Sequence, residues 1–134
     1  MTTAVLLVLL GFFSRLLPHP PNLVALGALA LYSGARLPRR WAVLVPLLAM
    51  TLSDAVLDFG TGRAALSPGR LMSYAAFAAI VLIGRFARGA ARPLVLLPLA
   101  VSVSSLFFLT SNFAVWAFGH LYPRTAAGLA ACFA

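Results

Sequence analysis

The chain contains no lysine and no glutamate, only two aspartates, Asp54 and Asp58, and a single cysteine, Cys132. Each shortage excludes something. One cysteine excludes an internal disulfide framework and any multi-cysteine zinc site. Charged residues make up 9% of the chain, against about 25% in an ordinary soluble domain, too little polar surface to cover a water-soluble core. Sustained period-two alternation is missing, so strands and a β-barrel are not expected. The opening "MTTAVLLVLLGFFSRLL" has no positive n-region and no small-x-small cleavage site, and it reads as a retained helix rather than a removed signal peptide. Ser-x-x-Lys, Gly-x-Ser-x-Gly and His-Glu-x-x-His patterns are absent and no glutamate exists to act as a base, so an enzyme is not expected. "GTGRAALSPGR" is glycine-rich but lacks the Gly-Lys-Ser/Thr ending of a phosphate-binding loop, and it reads as a plain loop.

What is present is apolar. Of 134 residues, 63% are hydrophobic, and the mean hydropathy is +1.03. Arginine alone supplies the cations behind the formal charge of +8. In a soluble protein that balance would suggest nucleic acid. Here the arginines lie between apolar runs, where a membrane protein keeps charge at the headgroup level, and no basic stripe interleaves with aromatics. The expected partner is membrane lipid, and no nucleic acid.

A helix needs about 20 residues to cross the hydrocarbon core of a bilayer. Breakers divide the chain into six apolar runs, 3–17, 23–35, 41–57, 71–87, 93–118 and 125–134, which predict an all-α, polytopic transmembrane helical bundle in one domain over 1–134. The second run is short for a span. It is expected to extend into its flanks, to sit among other helices or to form half of a tight hairpin, and its Gly27, Ala28, Ala30 and Gly34 suit close approach of neighbouring backbones. The last run, ten residues or roughly 15 Å of helix, is too short to cross and is expected to be either a re-entrant stub or, the favoured reading, the start of a truncated helix.

If all six runs cross, Arg36, Arg39, Arg40, Arg85, Arg88 and Arg92 share the side of the N-terminus, and Arg15, Arg63, Arg70 and Arg124 the other. The excess marks the cytoplasmic face, which places the N-terminus inside and "PHPPN" outside. Prolines fix φ and reduce loop entropy, so that first outer turn is expected to be a rigid wall. With "DFGTGRAALSPGR" and "GHLYPR" it would cap a pocket.

Three groups of residues carry possible chemistry. Asp54 and Asp58 lie four apart on one helical face, and ionisable residues in membrane segments are costly and often functional. They either pair with Arg15, Arg63 or Arg70 to hold the outer loops or contact a solute or cation directly. Ser102, Ser105, Asn112 and Trp116 fall on one stripe of the fifth run, which either bonds across helices or lines a binding cavity. His19, His120 and Cys132 form no recognised metal spacing, and neither metal nor cofactor is expected. A candidate solute site follows: Asp54, Asp58, Asn112 and Trp116 for the pocket, with Arg15 and His19 as its outer lip.

The segments "SRLLPHPPNLVALGALALYSGA", "PLLAMTLSDAVL", "SYAAFAAIVLIGR" and "SSLFFLTSNFAVWAFGHLYPRTAAGLAAC" occur in this order. Together they resemble a family of small bacterial integral-membrane transport proteins of unknown function, whose members look like the substrate-binding S-components of energy-coupling-factor vitamin transporters. The resemblance covers nearly the whole chain, and "SNFAVW…YPRTAAGL" is its most specific block. Relatives in that family continue past the "AAC" region with a further apolar segment. The resemblance implies six helices in the inner membrane with an outward-facing site built from the first, third and fifth loops. It implies capture of a small solute such as a vitamin, and uptake driven by a coupling membrane subunit and cytoplasmic ATPases. S-components commonly meet the coupling subunit through small residues on a helix, and Ala30 and Gly34 stand four apart. One similar family imports cobalamin through a cysteine ligand, a role that does not carry over to Cys132. The alternative, from another class, is a structural or accessory subunit of a larger membrane complex with no solute of its own. A channel fits less well, since no helix carries a polar stripe from end to end.

Overall fold

The computed structural model describes residues 2–17, 25–59, 67–89 and 93–134. Among them it has six helices and no strand: α1 (Thr2–Leu16), α2 (Leu26–Arg36), α3 (Arg39–Asp58), α4 (Pro68–Phe86), α5 (Pro93–Phe118) and α6 (Ala126–Phe133). Each predicted run is a helix, with ends displaced by at most a few residues. Three of them, α3, α4 and the Leu97–Phe118 part of α5, are long and apolar enough to cross a membrane.

Local chemistry sets the helix starts. Ser67 caps α4, its Oγ accepting from the Arg70 N–H at 3.3 Å, with Pro68 in the first turn. A proline is tolerated there because its missing N–H would have no intrahelical partner. Thr125 caps α6 in the same way, accepting from the Gly128 N–H at 3.2 Å. Pro46 and Pro98 lie inside α3 and α5, where each removes one i→i−4 bond.

At 11 residues, α2 is about 16 Å long, yet it lies at the centre of the bundle. It packs on α1, α3, α4 and α5. Leu26, Leu29 and Ala30 of α2 join Ala42, Val45 and Ala49 of α3 and Phe77, Ile80 and Val81 of α4 in one buried core. Phe77 and Phe107 of α5 stack with ring centroids 5.0 Å apart. The α2–α4 crossing is so close that a Cβ on Gly34 would run into the Val81 carbonyl, and one on Gly84 into the Leu31 carbonyl. Small residues permit this approach where no hydrophobic driving force separates helix from lipid. Ala30, fully buried, and Gly34 are therefore occupied inside the bundle. This corrects the expectation that the pair faces a coupling subunit.

Candidate functional site

The up-and-down course of the chain brings the end of α1, the end of α3, the start of α4 and the end of α5 to one pole. The aspartates lie there. Asp54 and Asp58 face α4 one turn apart, and their partners Tyr74 and Arg70 are also one turn apart, as an antiparallel helix pair requires.

The result is one connected network. Asp54 pairs with Arg15, Nη1 to Oδ1 at 2.5 Å, and with Arg70, Nε to Oδ2 at 3.3 Å. Arg70 Nη2 reaches Asp58 Oδ2 at 2.5 Å. Tyr74 donates its hydroxyl to Asp54 Oδ2 at 2.8 Å. Arg15 also donates to Ser53 Oγ at 2.8 Å and to the Met50 carbonyl at 3.3 Å. Among the described residues the network joins two carboxylates to two guanidiniums. Asp54 is only 7% exposed, and a carboxylate so buried is tolerable only when paired and hydrogen-bonded throughout.

Beside the network lies a cavity of about 660 Å³. Its polar wall consists of Arg15, Asp54, Arg70 and the hydroxyls of Ser67, Ser73 and Ser111; Met50, Ala114, Val115 and Phe118 form the apolar wall. A hollow with a polar wall on one side and an apolar wall on the other can hold a small molecule that has both kinds of surface. The arrangement can orient a polar group of a solute against the charges and cover its apolar part with Phe118.

Of the residues singled out in the sequence, the structure brings Asp54, Asp58 and Arg15 together. The pairing partners are Arg15 and Arg70; Arg63 and His19 lie outside the described residues. Asn112 and Trp116 stand apart from the cavity, towards α6. Asn112 Nδ2 donates to the Phe108 carbonyl of its own helix at 2.9 Å, while its own carbonyl accepts from Cys132 Sγ at 3.3 Å. Trp116 Nε1 donates to the Pro123 carbonyl at 3.1 Å. Ser102 Oγ donates back to the Pro98 carbonyl at 2.8 Å. The face of α5 that borders the cavity carries Ser111, Val115 and Phe118, one residue out of phase with the expected stripe. Tyr74, Ser67 and Ser73 were missed, although "SPGRLMSY" places all three on the face of Arg70 or its cap.

Fold and site together define an all-α membrane protein with a charged, half-apolar cavity at one pole. The chain belongs to the family of unknown function DUF6580, matched over residues 1–134. Neither a curated protein nor a solved structure matches it.

Proposed function

We propose that the protein is an S-component-like membrane transport protein that holds a small solute in the cavity beside Asp54 for uptake. The observation that supports this reading most is the cavity of about 660 Å³ set against the Arg15–Asp54–Arg70–Asp58 network. Ionisable residues inside a membrane bundle are costly, and those that border a cavity are candidates for a substrate path. The arginine excess at the opposite pole supports, by the positive-inside rule, a cavity on the outer face and a cytoplasmic N-terminus. Solute capture at that face, followed by uptake through a coupling subunit and ATPases, is the mechanism the resemblance suggests.

The test is native mass spectrometry of the protein extracted gently from its host membrane. A reproducible small-molecule adduct that is lost in Ser111→Trp, which fills the cavity from a half-buried helix face, supports the proposal. An adduct that survives Ser111→Trp moves the site elsewhere. A second reading, an accessory subunit, is favoured by α5, whose spanning segment is only 11% buried within the chain. Stoichiometric foreign subunits other than transport ATPases, with no solute adduct, would select it.

A further inference from the structure

The opposite pole carries a site of different chemistry. Arg36 ends α2, Arg39 and Arg40 begin α3, and Arg85 and Arg88 end and follow α4. The chain has only two acidic side chains, and both are committed to Arg15 and Arg70. Asp54 lies 14 residues along α3 from Arg40, about 21 Å away. Among the described residues, none of these five arginines has an ion pair. Arg85 Nη1 is buried without a hydrogen-bond partner. Last-turn arginines do suit the negative end of a helix dipole, but that leaves a buried N–H still unsatisfied. An acceptor from outside the chain, water or a ligand, would satisfy it.

Beside Arg36 runs a cleft of about 280 Å³ between α2 and α5, with Ala87, just past the end of α4, also in its lining. It follows α2 from Arg36 to Gly27, nine residues or about 13 Å. Leu31, Tyr32, Ala100 and Val103 line it. Its wall is mostly apolar, with a single cation, Arg36, at the mouth. A soluble anion would gain nothing from the apolar length, and a neutral lipid nothing from the arginines.

We infer that this cleft holds one molecule of an anionic phospholipid, its acyl chain along α2 and α5 and its phosphate at the Arg36 and Arg85 end. Basic pockets between membrane helices recognise such headgroups through charge and phosphate acceptors together. The inference is independent of the solute cavity at the other pole.

The experiment uses the full chain in mild detergent with equal amounts of phosphatidylglycerol and phosphatidylcholine, read by native mass spectrometry. The expected result is a single retained phosphatidylglycerol, at least tenfold preferred over phosphatidylcholine and not displaced by excess inorganic phosphate. Arg36→Gln and Arg85→Gln should each weaken retention about fivefold, the effect of one basic residue near a lipid surface. Ala100→Trp, at an exposed position of α5, should block the cleft and abolish retention with helicity unchanged. Equal retention of the two lipids, displacement by inorganic phosphate, or retention unaffected by Arg36→Gln would overturn the inference. Arg36→Gln, at an exposed helix end, decides the matter even where the tryptophan disturbs folding.

Discussion

Replacing Gly34 by alanine tests the packing of the bundle at its tightest point. The new methyl group would meet the Val81 carbonyl, backbone rather than the movable tip of a side chain. Relief therefore requires α2 and α4 to separate, and every contact along the crossing loosens with them. Overpacking costs about 1–3 kcal/mol where side chains can adjust, and the backbone obstacle puts this site at the upper end. Helix propensity returns about 1 kcal/mol, leaving a net loss of about 1–2 kcal/mol. Gly84→Ala, which would meet the Leu31 carbonyl, should cost about the same. Because one separation accommodates both methyl groups, the double variant should lose less than the sum of the two, with a coupling of at least ~0.5 kcal/mol. Gly27→Ala, on the same helix but facing open space, should be neutral or gain up to about 1 kcal/mol. Unfolding in mixed micelles by added SDS, followed by the fluorescence of Trp41 and Trp116, measures all four. A Gly34→Ala protein as stable as Gly27→Ala, or strictly additive losses, would refute the backbone-contact reasoning.

The remaining predictions concern the charged network and the core. Asp54→Asn leaves Arg15 and Arg70 short of a counter-charge in a buried setting and should destabilise by about 3–5 kcal/mol in the same assay. Asp58→Asn, at the more exposed end of the network, should cost distinctly less. Tyr74→Phe removes a hydrogen bond to a carboxylate and should cost about 1.5–3 kcal/mol, with an effect that vanishes when Asp54 is already asparagine. Phe77→Ala, at a site 2% exposed and stacked on Phe107, should lose about 3–5 kcal/mol. Cys132 is buried and is the only thiol; maleimide labelling should be slow in mild detergent and at least tenfold faster in SDS.

The six helices were legible because proline, glycine and arginine punctuate apolar runs in a chain with little else polar. The central place of α2 was half legible. Its small residues announced close packing, but the partner that fills the approach, Gly84 on α4, follows only from the tertiary arrangement. Asp54 and Asp58 stood out as the only acids. Recognising Arg70 as a partner required the start of α4, which Ser67 and Pro68 signal. The cavity-facing side of α5 was not legible. Serine and threonine hydroxyls in a helix can return to their own carbonyls, as Ser102, Thr110 and Ser111 do. A polar stripe then says nothing about what it faces, and the rotation of α5 is set by Val103 and Phe107 packing on the core.

The Asp54 network also has a history in time. A ribosome adds about 5–20 residues per second, so Arg70 leaves it about a second after Asp58, 12 residues earlier in the chain. Arg15 has by then long been made. The first partner available to Asp54 in the nascent protein is the arginine of α1, and α1 with α3 can neutralise that buried carboxylate before α4 exists. The Asp58–Arg70 pair forms only after α4 has begun. A nascent chain arrested with Asp58 outside the ribosome and Arg70 still inside should therefore integrate α3 efficiently with Arg15 present and poorly with Arg15→Leu, a difference that shrinks once Tyr74 has emerged.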